Sequence, residues 1–200
     1  MSEVLKKYQI IYADPPWQYN NRANSGTKFG GGAAKHYNLM SMEEIKKLPI
    51  NELADENCVL FLWVTFPLLD EQIKLFEEWG FRYKTLGFSW IKLNKNNNKP
   101  CFGIGFYTKS NCEVCLMGMK GKLKPVSNKV SSAVLSVRRE HSRKPDEIRD
   151  KIVELFGDLP RIELFARNKT GGWDTWGNEV DCSIDLYKYK KNNKFSEDEG

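Results

Sequence analysis

Tyr8-Gln9-Ile10-Ile11-Tyr12-Ala13-Asp14-Pro15-Pro16-Trp17 is a short apolar, β-prone run stopped by an acid and two prolines. That pattern suits a buried strand feeding a rigid turn. Outward from it, Trp17 to Met40 is rich in Gly and Asn, too long a loop for a compact domain unless it has a function or is disordered. Ser41-Met42-Glu43-Glu44 gives a capping-box start for a helix ending near Pro49. Cys58 to Thr65 reads as a second buried strand, and apolar spacing predicts a helix from Pro67 to Trp79, stopped by Gly80. Further strands are expected over 81–93, 111–119, 134–137 and 161–166, with a short segment over 173–180. A helix is expected over 145–156, with Pro145 in its first turn and Asp146 and Glu147 at its positive end. Strands alternating with helices predict an α/β fold, a mostly parallel sheet with helices on both faces.

Length and composition agree. Two hundred residues, 40% hydrophobic and 28% charged, suit one domain with a real core and exclude global disorder. The domain is expected over 1–186, followed by a polar tail over 187–200 that frays. A net charge of +5 is too mild to argue nucleic-acid binding by itself. No run approaches about 20 apolar residues, so no membrane span is expected, and residues 1–7 lack the apolar core of a signal peptide. Five sparse cysteines predict a reduced, cytoplasmic protein. Cys112 and Cys115 have metal-ligand spacing, but no second pair or nearby His completes a site, so no metal is expected.

Asp14-Pro15-Pro16-Trp17 stands at the carboxyl end of the first predicted strand, where open α/β sheets place their ligands. Its chemistry fits methyl transfer to an exocyclic amine. The N6 lone pair of adenine is delocalised into the ring, so the amine is a weak nucleophile. A carboxylate (Asp14) and a backbone carbonyl (Pro15), each accepting one N–H, favour the pyramidal nitrogen and stabilise its developing positive charge. Pro15 and Pro16 fix φ and hold the acceptors rigid. Trp17 offers a flat face for an extruded base. The same four residues also read as a plain strand stop with Trp17 filling the core.

Several further stretches occur in a telling order: Leu39-Met40-Ser41-Met42-Glu43-Glu44-Ile45, Leu60-Phe61-Leu62-Trp63-Val64-Thr65, Cys115-Leu116-Met117-Gly118-Met119-Lys120-Gly121, Lys144-Pro145-Asp146-Glu147-Ile148, Arg161-Ile162-Glu163-Leu164-Phe165-Ala166-Arg167, and Gly177-Asn178-Glu179. With Asp14-Pro15-Pro16-Trp17 they strongly resemble the MT-A70 family of S-adenosylmethionine-dependent adenine-N6 methyltransferases, from about Tyr8 to Val180. The resemblance implies a Rossmann-like fold with permuted motif order, the catalytic turn preceding the cofactor strand at Arg161 to Ala166. It implies catalytic Asp14, Pro15, Pro16 and Trp17, and S-adenosyl-L-methionine held by Asp14, Lys144, Arg167, Asn178 and Glu179, with Glu163 in support. Asn168, Lys169 and Thr170 are placed beside them, although mRNA-modifying members have a His-Asn pair where this chain has Lys169-Thr170.

Two loops are expected to form the base pocket. One carries Tyr19, Asn20, Lys28, His36 and Tyr37; the other carries Arg138, Arg139, His141, Ser142 and Arg143. Eight Lys/Arg against one acid between Lys120 and Lys144 place a cationic stretch beside the catalytic turn, as a phosphate backbone needs. Glu113 is a weak pocket candidate. The expected substrate is DNA, because the loop around Arg138 to Glu147 looks like that of bacterial and phage members; RNA is the runner-up. A homodimer or a heterodimer with a related domain is expected from family precedent. The rival readings are a catalytically silent nucleic-acid-binding subunit and a small-molecule N-methyltransferase.

Overall fold

The computed structural model describes residues 4–18, 39–103, 107–139 and 143–191. Seven strands form one sheet: β1 (Tyr8–Ala13), β2 (Ala54–Val64), β3 (Arg82–Leu93), β4 (Cys112–Lys120), β5 (Ala133–Val137), β6 (Arg161–Leu164) and β7 (Asp174–Trp176). Their order is β5-β3-β4-β2-β1-β6-β7. Every neighbouring pair is parallel except those made by β4, which runs antiparallel to both β2 and β3. The sheet is therefore mostly parallel, as expected, with one reversed strand inside it.

Alternation along the strands builds two cores. Ile11 and Ala13 of β1, Leu60 and Leu62 of β2, and Ile162 and Leu164 of β6 face one side. There they meet α1 (Met42–Lys46), α2 (Ile50–Leu53) and α3 (Leu69–Glu78) through Ile45, Ile50, Leu53, Leu75 and Phe76. Ile10, Tyr12, Val59, Phe61 and Trp63 face the other side and meet α4 (Glu147–Phe156) through Ile148, Ile152 and Phe156. Helices on both faces are what the alternating pattern predicted.

Local expectations hold with small shifts. The Ser41 side chain caps α1, and Glu44 reaches back to the Ser41 backbone, completing the capping box. Helix α1 ends at Lys46, and the short α2 after Pro49 has no counterpart in the sequence reading. Pro145 lies outside α4 rather than in its first turn, because Asp146 is the N-cap. The tail requires correction. Lys188–Lys191 forms α5, and Tyr189 is buried in the first core, so the packed chain runs past residue 186. Residues 192–200 lie outside the described residues.

Candidate active site

Strands β1 and β6 are parallel neighbours, with Ala13 opposite Leu164. Asp14 and Phe165 therefore leave the sheet side by side at its carboxyl edge. Successive connections diverge here, β1 leading to β2 on one side and β6 to β7 on the other. Such a divergence opens a crevice beyond the strand ends. A cleft lies there, lined by Tyr12, Asp14, Lys144, Arg149 and Glu163, with Arg143, Phe165, Arg167 and Asn168 completing the wall.

The cleft is organised by charge. Lys144, just ahead of α4, donates to both Asp14 oxygens at 2.7 Å. Its Nζ is also 3.3 Å from Glu113 Oε2 at the start of β4, and lies 5.1 Å from the centre of the Trp63 ring. Glu113 in turn pairs with Lys92 at the end of β3. Lys92, Glu113, Lys144 and Asp14 thus form a line of alternating charge across the sheet edge. Burial opposes the charge on Lys144, but the Asp14 and Glu113 carboxylates outweigh it and hold its pKa above the ordinary lysine value. Burial likewise opposes ionisation of Glu113, and Lys144 with Lys92 reverses the effect, leaving its carboxyl below the usual range.

A second ion pair forms the floor. Glu163 is the one acid in the β6 run and points to the α4 face, where it would be an uncompensated charge. Arg149 of α4 donates Nε and Nη2 to its two oxygens at 2.7 and 2.6 Å. The same guanidinium lies 5.6 Å from the Tyr12 ring centre and donates Nη1 to Asp146 at 3.1 Å. The Tyr12 hydroxyl accepts the Trp63 indole N–H at 2.7 Å, fixing the aromatic wall beneath Lys144. Burial pushes the Glu163 carboxyl up, with Arg149 pulling the other way.

The proline turn is rigid, as expected, but its parts are used differently. Pro15 is buried, and its carbonyl accepts the Trp17 N–H at 2.9 Å, so one of its two lone pairs is committed. The Pro16 carbonyl accepts from Met40 N–H, and Met40 O accepts from Gln18 N–H, which fastens Gln18 and Met40 to each other close to Asp14. Trp17 does not present an open stacking face. Its side chain is 7% exposed, packed in the first core, with its indole N–H donated to the Trp63 carbonyl at 3.1 Å. The core-filling reading is the one the structure adopts for Trp17.

Other expected residues divide into four groups. Arg167 and Asn168 line the cleft. Phe165 before them has φ 61°, a strained value for a bulky residue, and its ring meets Trp176 edge-on at 5.4 Å. A Cβ on Gly177 would sit 2.2 Å from Ala166 O, so glycine alone lets the Asn178-Glu179 turn close against the end of β6. Asn178 and Glu179 are exposed there. Lys169 is not brought into the cleft: it is exposed and lies 3.5 Å from Asp181. Thr170 does not line the cleft either, and its carbonyl accepts from the Trp173 N–H. Tyr19, Asn20, Lys28, His36, Tyr37, His141 and Ser142 lie outside the described residues.

The cationic stretch needs a correction. Lys120 pairs with Cys58 at the amino end of β2, the far edge of the sheet from Asp14, and donates to Asn51 O and Oδ1. The Lys122 backbone is bound there as well, to Asn57. Only the arginine half, with Arg138, Arg139 and Arg143, reaches the catalytic edge. Sequence reasoning missed Arg149 and Tyr12. A signal existed for Arg149, since an acid inside the apolar β6 run demands a buried cation, though its address could not be read.

The MT-A70 family model matches residues 8–179 of this chain. A Type II methyltransferase, M.MunI, from a Mycoplasma species is 38% identical over 190 residues, covering 88% of this chain and 78% of that protein. The human N(6)-adenosine-methyltransferase catalytic subunit METTL3 is 30% identical over 182 residues, covering 89% of this chain and 29% of its own length. A putative N(6)-adenosine-methyltransferase MT-A70-like protein of Medicago truncatula is 29% identical over 181 residues and is covered to 27%. The chain thus spans most of the first relative and little over a quarter of the other two.

Proposed function

This chain belongs to the MT-A70 family, and from that membership we propose that it is an S-adenosylmethionine-dependent methyltransferase acting on N6 of adenine in DNA. The observation that carries the reading is the Asp14 carboxylate at the carboxyl end of β1, gripped by Lys144 at 2.7 Å through both oxygens at the mouth of a cleft. DNA is favoured over RNA because the likeness to the Type II methyltransferase is greater, and covers far more of the relative, than the likeness to proteins named for adenosine.

The residues present fit the cofactor. An amino-acid end requires one cation and one anion side by side, and Lys144 and Asp14 supply them. Phe165, Arg167 and Asn168 would meet the nucleoside end, with Asn178 and Glu179 on the adjoining turn. When bound, S-adenosylmethionine supplies a methyl carbon made electrophilic by a positively charged sulfur.

The chain's own residues then act on the amine. Asp14 accepts one N6 N–H, drawing the nitrogen towards pyramidal geometry and stabilising the positive charge that grows on it. The Pro15 carbonyl has one lone pair left for the second N–H, the other being held by Trp17. That internal bond aims the carbonyl before any substrate arrives. Lys144 holds the Asp14 carboxylate in orientation through both oxygens, and Glu113 and Lys92 keep Lys144 in place. The methylated nitrogen is cationic and gives up its proton without a strong base, so neither histidine is required.

Incubation with methyl-labelled cofactor and matched single-stranded and duplex DNA and RNA, followed by nucleoside analysis, tests the reading. Labelled N6-methyladenine in DNA is expected. Asp14→Asn should lower transfer by about 10²–10³-fold, as for loss of one oxyanion-type contact, while DNA binding survives. Wild-type protein that binds DNA but modifies no polymer, alone or with a partner, would replace this reading with the silent subunit.

A further inference from the structure

Beyond the Asp14 cleft, a second depression runs along the outer edge of the sheet. Its floor is β5, the edge strand, whose sole sheet neighbour among the described residues is β3. Leu135 lies open on this floor, 65% exposed, with Val137 beyond it. One wall is the turn after β3, carrying Lys95 and Asn98; the other carries Arg138, Arg139 and Arg143. Arg143 lines both depressions, so the edge groove adjoins the catalytic cleft at that residue.

Among the described residues, four cations and no acid line the groove. Two are spoken for: Arg139 and Arg143 both bind Asp146, the latter at 2.9 Å, and Asp146 is held below the usual carboxylate range although burial works the other way. Lys95 and Arg138 make no ion pair with any described residue, and both are exposed. The backbone beneath Arg138 is fixed, its N–H donating to Leu93 O at 3.1 Å. Asn98, with φ 53°, shapes the opposite turn. An apolar floor between two cationic walls matches a nucleic-acid strand, whose sugars and bases are apolar on their faces and whose phosphates are anionic on their edges.

We propose that this groove carries the strand flanking the target base, with Lys95 and Arg138 each meeting one phosphate. The inference rests on reading the Asp14 cleft as a nucleic-acid methylation site. It adds the path of the polymer, out past Arg143 and along β5, and a contact residue, Lys95, on the turn after β3. It also separates these cations from Lys120 and Lys122 at the far edge of the sheet.

Each phosphate contact releases condensed counterions worth about 0.7 in salt slope on a single strand and about 0.9 on a duplex. At 0.1 M salt that corresponds to about five- to eightfold in affinity per side chain. The test is fluorescence anisotropy of labelled single-stranded and duplex DNA across a salt series with Lys95→Ala, Arg138→Ala, the double variant and Lys122→Ala. Each groove variant should bind about five- to eightfold more weakly, with a salt slope shallower by about 0.7–0.9, whatever the sequence around the target. Lys122→Ala should match wild type. Calorimetric affinity for S-adenosylmethionine should not change in any variant, which excludes damage to the cleft. Groove variants with wild-type affinity and slope overturn the path and leave the methylation reading standing. Wild-type protein that binds through Lys95 and Arg138 but transfers no methyl group sinks the methylation reading and leaves the groove.

Discussion

At the scale of single residues, the site is a set of charges that only make sense together. Asp14 and Lys144 were legible in the sequence because each stands in a recognisable stretch. Glu113, inside a strand-like run, carried only a faint signal, yet it holds Lys144 from the side opposite Asp14. Its carboxyl is lowered by Lys144 and Lys92 against the cost of burial. A folded-state value below the unfolded one, about 4.5, means that its stabilisation is complete above that pH and is lost as pH falls through the lowered value. Glu113→Gln should therefore cost stability at pH 7, about 2 kcal/mol for hydrogen bonds to a charged group. Urea titrations at pH 7, 5 and 3 should show the wild-type advantage narrowing only below about pH 4.5. An advantage that stays level or widens on acidification would show that Glu113 is not a paired carboxylate. Trp17 marks the opposite limit of legibility. Its position in the motif was clear, but whether a tryptophan beside a turn faces a ligand or the core depends on what lies behind it, and here the Trp63 carbonyl captures the indole N–H.

At the scale of elements, periodicity placed the long strands and both long helices, because burial on a sheet face or helix stripe writes itself into the spacing of apolar residues. It could not reveal that β4 is reversed. Alternation looks the same in either direction, whereas β4 runs antiparallel to β3, the strand before it in the chain. Nor could it explain why β4 needs a glycine. A Cβ on Gly118 would lie 2.3 Å from Phe76 Cδ1, and Phe76 is fully buried between α3 and the sheet, so the ring has nowhere to retreat. Gly118 thus sets how closely α3 approaches β4. Gly118→Ala should destabilise the protein by about 1–3 kcal/mol through overpacking. Adding Phe76→Leu should recover part of that loss by making room. If the single variant unfolds at the wild-type denaturant concentration, the close approach of α3 is not a constraint. The methyl-transfer rate per folded molecule should survive either way, since both residues lie on the face away from α4.

At the scale of the whole molecule, β1 carries the catalytic turn and lies inside the sheet, between β2 and β6, and its amino end is covered by a segment that follows β7. Residues 187–200 read as a polar tail because Tyr187 and Tyr189 stand among lysines in too short a run to mark a packed element. The contact is tertiary. Tyr189 enters the first core and its hydroxyl donates to Lys6 O at 2.7 Å, while Lys6 Nζ and the Tyr8 hydroxyl both reach Asp174 Oδ2 at 2.6 Å. The segment after β7 thus clamps the entry of β1, and β7 itself supplies the acid. Tyr189→Ala removes both the ring and the hydroxyl and should cost about 3 kcal/mol, the low end for large aromatic truncations. For a chain of this size that is a fall in melting temperature of about 6–12 °C. Tyr189→Phe keeps the ring and loses only the hydrogen bond, about 1 kcal/mol. Because Asp14 is held at the other end of β1, by registry with β2 and β6, the turnover number measured well below the melting point should not move. An unchanged melting temperature in Tyr189→Ala would return this segment to the solvent. A changed turnover at low temperature would instead mean that the clamp is felt along β1 as far as the catalytic carboxylate.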